Sequence, residues 1–335
     1  MRHDDRTPTG DVRQYDLTRR IYRALVMHYV EGLKQAEIAR LTGQSIATVS
    51  RLIKQGHDLG MVEITVRAPF QPSLELERRL ARAAGLMEAL VVPNLSANDE
   101  VALASVGEAA AGLLLSRLKD GDTICISGGK GVSALVAGLN PARRYDVSVV
   151  PATGLVEGPL YTDVNYVAAQ MAEKLGGRAH RIHAPMFADT VDQRAMLIDM
   201  RSTRDILDRA RHADIAVVGV GSVTPAGSSY YDLHPELADD RTEIERSGAE
   251  AELLAHLLDG AGRVCRYQMN DRLVAVTPEE LSRVPFSMGV AVGPAKIGPI
   301  RAVLRGRHLK GLVTDETTAD AVLPGLEAEA PAARS

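Results

Sequence analysis

The stretch QAEIARLTGQSIATVSRLIK, residues 35–54, has the spacing of two short helices joined by a tight turn. Ala39 is small enough to let the two helices cross closely, and Gly43 stands in the turn, where a positive φ angle favours glycine. Val49, six residues after Gly43, is predicted to lie on the inner face of the second helix beneath Ala39. The other predicted core residues are Ile38, Leu41, Leu52 and Ile53. This pattern predicts a helix-turn-helix.

The outward face of the second predicted helix carries side chains suited to DNA. Ser45 can cap this helix, whose free amides would then point at a phosphate backbone. Glutamine and arginine match the edges of adenine and guanine, whereas Arg40 and Lys54 are placed for phosphates. The predicted DNA-binding residues are Gln35, Arg40, Gln44, Ser45, Thr48, Ser50, Arg51 and Lys54. The alternative interpretation is a plain three-helix bundle that contacts other proteins.

The segments that flank this stretch complete a small N-terminal domain. Residues 1–16 are polar and predict a disordered lead, and the apolar residues from Leu17 to Tyr29 recur at every fourth position, which predicts a first helix. The alternating run Met61–Val66 predicts a strand or wing. We therefore place the DNA-binding domain at 17–67 and a linker with a connecting helix at 68–87. That helix either packs on its own domain or serves as a dimer contact.

From about residue 88 the sequence changes to short apolar strands that alternate with helices. The predicted strands are Leu90–Val92, Asp122–Ser127, Asp146–Pro151, Ala179–His183, Ile215–Gly219, Val264–Tyr267, Leu273–Val276, Met288–Val292 and Gly311–Thr314. The predicted helices are Val101–Leu118, Val132–Leu139, Asp163–Leu175, Val191–Arg211 and Ala295–Leu304. The fold class that we predict is an N-terminal all-α (winged) helix-turn-helix domain, then an α/β domain at 88–323 with a doubly wound, mainly parallel sheet. An Ala/Glu-rich flexible tail follows at 324–335.

Composition narrows the class of protein. The chain has 335 residues with a net charge of −4, yet residues 1–67 alone hold 11 basic and 8 acidic residues, so a basic head precedes an acidic body. Two cysteines, Cys125 and Cys265, imply no disulfide framework. Neither a secretory signal nor a run of about 18 apolar residues is present, so we expect a cytoplasmic protein that does not span a membrane.

Three glycine-rich loops follow predicted strands, where sheets of this type bind ligands. The first, Ser127–Gly131, leads into a helix N-terminus, where glycines let the backbone approach an anion and Lys130 adds a positive charge. The second runs from Gly219 to Ser229, and the third places Lys296 in the first turn of a helix, where a cation is favourable beside an anion. The predicted effector-binding residues are Ser127, Gly128, Gly129, Lys130, Gly221, Ser222 and Lys296.

Each of these loops also has an ordinary structural explanation. Tight strand-to-helix turns use glycine for their geometry, and a serine-rich loop is often simply solvated. The segment Gly154–Gly158, with Asp163 and Asn165, either contributes polar contacts or forms a structural turn. The histidines lack the spacing of metal ligands, and we predict no metal site, no cofactor and no catalytic residue.

Several separate motifs resemble the SorC/DeoR-type family of sugar-binding bacterial transcriptional regulators. In the N-terminal part these are Gln35, Ile38-Ala39, Thr48-Val49-Ser50-Arg51 and Gly60–Val66. Further along they are Ala213–Ser222, Gly293-Pro-Ala-Lys296, Ile300–Gly306 and Leu312–Ala319. The resemblance extends from about residue 17 to 323.

The resemblance implies an effector domain with the fold of sugar-phosphate isomerases and deaminases. It also implies a phosphorylated sugar or polyol as the effector, and a homodimer or homotetramer that rearranges on double-stranded operator DNA when the effector binds. Two positions depart from the family pattern. Ile46 stands where many relatives have an arginine, and Gly262-Arg263 stands where many have a Gly-Asp pair near the ligand.

Taken together, these features predict a sugar-controlled transcriptional regulator, with repression as the expected mode. The alternative is an enzyme of the sugar-phosphate isomerase or deaminase class with an added DNA-binding domain, in which Lys130 could form a Schiff base with an aldose. A DNA-binding structural protein without a ligand would leave most of the chain without a role.

Overall fold

The computed structural model describes residues 9–63, 74–94, 98–224, 228, 230–233 and 240–328. The chain divides into two compact units, Met1–Pro69 and Phe70–Ser335. Each unit has its own hydrophobic core.

The first unit is helical. It consists of α1 (Thr9–Leu25), a π-helical turn (Val26–Val30), α2 (Gln35–Thr42) and α3 (Ile46–Asp58). Its buried core is apolar and comprises Ile21, Ala24, Leu25, Met27, Ile38, Ala39, Val49, Leu52 and Ile53. Gly56 lets α3 approach α1, because a Cβ atom there would lie 2.6 Å from Cδ1 of Leu25. The helix-turn-helix that the sequence predicts is therefore present.

Three predictions for this unit need correction or fall outside the described residues. Helix α1 begins at Thr9, so residues 9–16 are helical and not disordered. Leu41 is 57% exposed instead of buried, because the inner face of α2 centres on Ile38 and Ala39 and Leu41 lies about 200° around the helix from Ala39. Residues 61–63 form no strand, and the rest of the predicted wing, 64–66, lies outside the described residues.

The second unit is an α/β domain. Its strands are β1 (Glu88–Val92), β2 (Thr123–Ile126), β3 (Ser148–Pro151), β4 (Arg178–Ala179), β5 (Ile215–Gly219), β6 (Gly221–Ser222), β7 (Ala249–Leu253), β8 (His256–Asp259), β9 (Phe286–Val290) and β10 (Gly311–Asp315). Its described helices are α4 (Leu74–Ala84), α5 (Asp99–Arg117), α6 (Lys130–Gly138), α7 (Val164–Leu175), α8 (Val191–Asp199), α9 (Arg201–Arg211), α10 (Arg241–Arg246), α11 (Pro278–Leu281), α12 (Ile297–Arg305) and α13 (Glu316–Glu327).

Seven strands form one parallel sheet in the order β1-β10-β9-β5-β2-β3-β4. Strands β9 and β10 are buried along their whole length, as expected for a parallel sheet that is covered on both faces. The predicted α/β fold class is thus confirmed. Helix α4 packs on this unit, with Leu80 fully buried and Arg79 paired with Glu327 of α13 at 2.9 Å.

A second sheet was not predicted from the sequence. Strands β6, β7 and β8 form a separate antiparallel sheet of three strands. In the sequence they lie between β5 and β9 of the parallel sheet. In the described part of the chain, the predicted strands 264–267 and 273–276 contribute only isolated bridges, such as Thr153 with Ala275. They are largely buried, so their apolar character reflects burial and not ladder formation.

Two helix boundaries also differ from expectation. The predicted helix 191–211 is broken at Met200, whose ψ angle of 126° is extended, and so forms α8 and α9. Helix α13 continues to Glu327, so residues 324–327 are helical and not part of a flexible tail. Residues 329–335 lie outside the described range.

Candidate DNA-binding and effector-binding sites

The turn between α2 and α3 has the geometry of a capped helix-turn-helix. Gly43 has a φ angle of 68°, and Ser45 caps α3 by accepting a hydrogen bond from the Thr48 amide at 3.1 Å. The hydroxyls of Ser45 and Thr48 also lie 2.8 Å apart and bond to each other. The cap fixes where α3 starts and therefore which of its side chains face outward.

All the predicted DNA-binding residues keep access to solvent. Arg40, Ser45, Ser50, Arg51 and Lys54 are exposed, and Gln35, Gln44 and Thr48 are partly exposed. Ile46, at the first turn of α3, is 55% exposed and adds an apolar side chain to this surface. An apolar group there can contact a thymine methyl group but cannot form the polar contacts of an arginine.

A pocket lies at the carboxyl ends of β2, β5 and β9, at the centre of the parallel sheet. Its volume is about 430 Å³, which is within the range of small-molecule sites. Its polar and glycine lining comes from Asp99, Glu100, Ser127, Gly128, Gly129, Lys130, Gly131, Thr153, Thr162, Gly219, Gly221, Glu252, Gly293 and Lys296. Its apolar lining includes Leu103, Met186, Leu233, Leu254 and Val290.

The glycines after β2 allow neighbouring loops to approach closely. A Cβ atom on Gly128 would lie 2.7 Å from the Thr162 carbonyl oxygen, and one on Gly131 would lie 2.5 Å from that of Val290. Gly129 has a φ angle of 117°, which suits glycine, and helix α6 begins directly after it. The N-terminus of α6 therefore borders the pocket, where its amides favour an anion.

Ser127 holds two strand ends together. Its hydroxyl accepts a hydrogen bond from the Gly219 amide at 3.1 Å and donates to the Gly128 carbonyl at 2.8 Å. This predicted effector residue lines the pocket, but its hydroxyl already has protein partners.

Among the charged side chains that line the pocket, Lys296 interacts electrostatically with both Glu252 and Lys130. Burial lowers the pKa of Lys296, with Glu252 acting in the opposite direction and Lys130 lowering the pKa further. Burial likewise raises the pKa of Glu252, against the effects of the Ala255 amide and of Lys296. The Glu252 carboxylate accepts a hydrogen bond from the Ala255 amide at 2.6 Å and lies against Gly221, where a Cβ atom would overlap it. Lys296 is thus influenced both by the Glu252 carboxylate and by the Lys130 ammonium group.

The remaining predicted effector residues divide into two groups. Gly221 lines the pocket, whereas Ser222 is absent from the lining that the described residues form. Ser222 is 1% exposed, and its hydroxyl accepts a hydrogen bond from the Thr224 amide at 3.1 Å. Its side chain stabilises the turn after β6 and lies outside the described pocket lining.

The side chains of Asp163 and Asn165, and the glycine at 154, have structural roles in the chain after β3. Asp163 caps α7 by accepting hydrogen bonds from the amides of Asn165 and Tyr166. The Asn165 side chain exchanges two hydrogen bonds with the backbone of Ile182, at 2.9 and 3.0 Å. Gly154 allows close approach to the backbone at Pro185.

Thr153 and Glu252 are among the pocket-lining residues that were not predicted from the sequence. Thr153 lies two residues after the end of β3, so the rule that ligands bind at strand ends could have found it. Glu252 lies in β7, a strand that was not predicted. By contrast, Gly262-Arg263 does not contribute to the pocket lining within the described ranges, and Arg263 pairs with Asp259 at 2.8 Å.

No group of three or more His, Cys, Asp or Glu side chains among the described residues could hold a metal ion. Among the helices that the structure describes, none combines the length and apolar character needed to cross a membrane.

Family models match both units. The model described as "Putative sugar-binding domain" matches residues 68–324, and that of sigma-70, region 4, matches residues 18–56. The first match covers most of the α/β unit and the second covers the helix-turn-helix.

Relatives and solved structures match nearly the whole chain. The chain is 29% identical to the erythritol catabolism regulatory protein EryD of Brucella abortus (strain 2308), over 90% of this chain and 95% of that protein. It is 30% identical to the transcriptional regulator LsrR of Enterobacter sp. (strain 638), over 90% of this chain and 92% of that protein. The crystal structure of the full-length sorbitol operon regulator SorC from Klebsiella pneumoniae superposes with a TM-score of 0.70 at 26% identity, covering 92% of this chain and 99% of that one. The chain therefore belongs to the SorC/DeoR-type family of sugar-binding transcriptional regulators.

Proposed function

We propose that this regulator acts as a repressor in the cytoplasm and that a phosphorylated sugar or polyol in the central pocket controls its binding to operator DNA. The observation that carries the proposal is the pairing of Lys130 and Lys296 at a pocket bordered by the glycine-rich Ser127–Gly131 loop. The pocket is attached in sequence to a helix-turn-helix with exposed polar side chains.

The charges of the pocket support an anionic ligand. Burial and the nearby Lys130 lower the pKa of Lys296, which means that they disfavour its charged form. A negative group bound beside Lys296 would stabilise that charged form. The backbone at Gly128 and the N-terminus of α6 can donate amide hydrogen bonds to a phosphate, whereas the Gly129 amide already donates to the Tyr161 carbonyl at 2.6 Å. Names of the relatives refer to erythritol and sorbitol, which supports a polyol as the rest of the ligand.

We further propose that the chain binds its operator as a homodimer or homotetramer. A helix-turn-helix dimer reads two half-sites about one helical turn apart, which requires an operator with twofold symmetry. Analytical ultracentrifugation of the full chain, with and without operator DNA, measures the number of copies directly.

The test is a binding titration of the purified chain against its own promoter fragment and a scrambled fragment of equal length. We expect preference for the promoter, an affinity that falls steeply with salt, and release by a phosphorylated polyol. Equal affinity for both fragments would refute the DNA-binding part of the proposal. Release by none of a panel of phosphorylated sugars and polyols would refute the effector part.

We also propose that the pocket binds its ligand without converting it, as expected of a regulator. Incubation with phosphorylated aldoses, followed by borohydride reduction and mass spectrometry, tests the Schiff-base alternative at Lys130. Unmodified protein is expected, and a covalent adduct at Lys130 would favour the enzyme.

A further inference from the structure

Thr153 has a buried hydroxyl in the pocket without a hydrogen-bond partner among the described residues. The residue is 2% exposed and lies two residues after the end of β3. Such an unpaired hydroxyl is unfavourable, because burial removes its hydrogen bonds to water without replacing them. A buried hydroxyl without a partner, in the wall of a ligand-sized pocket, is in a position to form its hydrogen bonds with a ligand.

The backbone on both sides of Thr153 is fixed independently of its hydroxyl. The Gly154 amide donates to the Val274 carbonyl at 2.8 Å, and the Val276 amide donates to the Ala152 carbonyl at 2.8 Å. These bonds hold Thr153 opposite Ala275 in an antiparallel bridge. The hydroxyl therefore contributes nothing visible to local structure.

A second threonine in the same pocket provides a contrast. Thr162 is 5% exposed, and its hydroxyl donates to the Pro159 carbonyl at 2.7 Å. Ser127 is similarly occupied. Thr153 is thus distinguished from these two neighbours by having its hydroxyl still available.

We propose that Thr153 selects the ligand by pairing with a hydroxyl group of its uncharged part, while the two lysines bind its anionic part. A hydroxyl both donates and accepts, so it is complementary to a sugar or polyol hydroxyl and not to a CH₂ group. This inference rests on the proposed function and adds which part of the ligand is recognised, and by which residue.

The test uses three variants of the full chain. Thr153→Val keeps the shape and removes the hydroxyl, and Thr153→Ser keeps the hydroxyl. Thr314→Val is the matched control, since Thr314 is fully buried, has an unpartnered hydroxyl in the described structure and is not among the described pocket-lining residues. Calorimetry measures binding of inorganic phosphate, glycerol 3-phosphate, erythritol 4-phosphate and sorbitol 6-phosphate, and thermal unfolding measures stability without ligand.

We expect both valine variants to keep or raise the ligand-free Tm, because each replaces an unpaired buried hydroxyl by an apolar group. Thr153→Val should weaken the tightest-binding polyol phosphate about tenfold, equivalent to about 1.4 kcal/mol. Its affinity for inorganic phosphate should not change. Thr153→Ser and Thr314→Val should bind all the probes like the wild type.

Several results would overturn the inference. A marked fall in the Tm of ligand-free Thr153→Val, without one in Thr314→Val, would show that the hydroxyl is structural. Unchanged polyol phosphate binding by Thr153→Val, or an equal loss for inorganic phosphate, would show that it does not select a hydroxyl. If the wild-type chain binds none of the phosphorylated probes, the proposed function itself fails, and the inference fails with it.

Discussion

Glu252 is a carboxylate in surroundings that disfavour its charge. Burial raises its pKa above the ordinary glutamate value, and the nearby Lys296 offsets only part of this effect. In the folded state Glu252 thus holds its proton to a higher pH than it does in the unfolded chain. The fold therefore loses stability as pH rises from the ordinary glutamate pKa through the raised one.

We predict that Glu252→Gln removes this loss. The free energy of unfolding of the wild type should fall relative to that of the variant as pH increases from the ordinary glutamate value of 4.5. Denaturant titrations at a series of pH values measure the difference. Glu250→Gln, an exposed position on the same strand, is the control and should follow the wild type. Parallel curves for wild type and Glu252→Gln would contradict the prediction.

Arg51 is the exposed arginine of α3 whose side chain is best suited to a base. We predict that Arg51→Ala weakens operator binding by about 1–3 kcal/mol and relaxes sequence preference at one position. Anisotropy titrations on the operator and on scrambled DNA measure both effects. Arg178→Ala, in the other unit, is the control. An equal loss on all sequences would instead assign Arg51 to a phosphate.

The sequence was enough to predict which polar and charged residues stand at strand ends. It was not enough to predict which of their side chains form hydrogen bonds within the protein and which remain available to a ligand. Lys130 and Lys296 were found because a cation beside a glycine loop and a helix start favours an anion. Ser222 was chosen for its hydroxyl, yet that hydroxyl bonds to Thr224. Only three-dimensional contacts separate it from Thr153, whose hydroxyl is unpartnered among the described residues.

At the scale of elements, α6 depends on the absence of a side chain at its second residue. A Cβ atom on Gly131 would lie 2.5 Å from the carbonyl oxygen of Val290, in the backbone of β9, so this helix and strand pack closely at a point where both line the pocket. The loop that leads to Lys296 begins at the carboxyl end of β9.

We therefore predict that Gly131→Ala forces α6 away from β9, lowers the Tm and weakens ligand binding. The expected loss of stability is about 1–3 kcal/mol, typical of overpacking. Gly298→Ala is the control, because α12 leaves space around that residue and alanine favours a helix. Thermal unfolding should show a fall for the first variant only. Equal Tm values for both variants would contradict the prediction.

Helices and strands with a regular spacing of apolar residues could be predicted from the sequence. Strands that depend on hydrogen-bonded pairing with a distant segment could not. The sequence located α5, α7 and β5 within a few residues because their apolar spacing matches one structure. The apolar runs 264–267 and 273–276 suit a strand equally well, but they are buried without joining a ladder of the described structure. Sheet membership depends on partners that are distant in sequence, such as β6 for β7.

At the scale of the whole molecule, sensing and DNA binding lie in separate compact units. A change in the pocket should then alter the response to ligand without altering the helix-turn-helix itself. The alternation of strands and helices after residue 88 was enough to predict the α/β unit. The pocket could not be predicted as a whole, since Glu252 comes from the antiparallel sheet.

We predict that Lys296→Ala abolishes release from the operator by a phosphorylated polyol and leaves operator affinity without ligand unchanged. Loss of a partly buried cation at the proposed anion site is the physical reason. Operator titrations with and without ligand measure both quantities. Lys119→Ala, an exposed lysine elsewhere in the same unit, is the control. Normal release by Lys296→Ala would remove this residue from the site.

The pocket draws its walls from chain segments spread between Asp99 and Lys296, the last of them at 290–296. The helices of the first unit, in contrast, all lie before residue 59. At a synthesis rate of about 5–20 residues per second, the ribosome needs roughly 10–50 seconds to extend the chain from the end of α3 to Lys296. During that interval a nascent chain has the complete sequence of its helix-turn-helix but cannot yet close its pocket. Every new copy thus acquires the parts that bind DNA before the parts that sense the ligand.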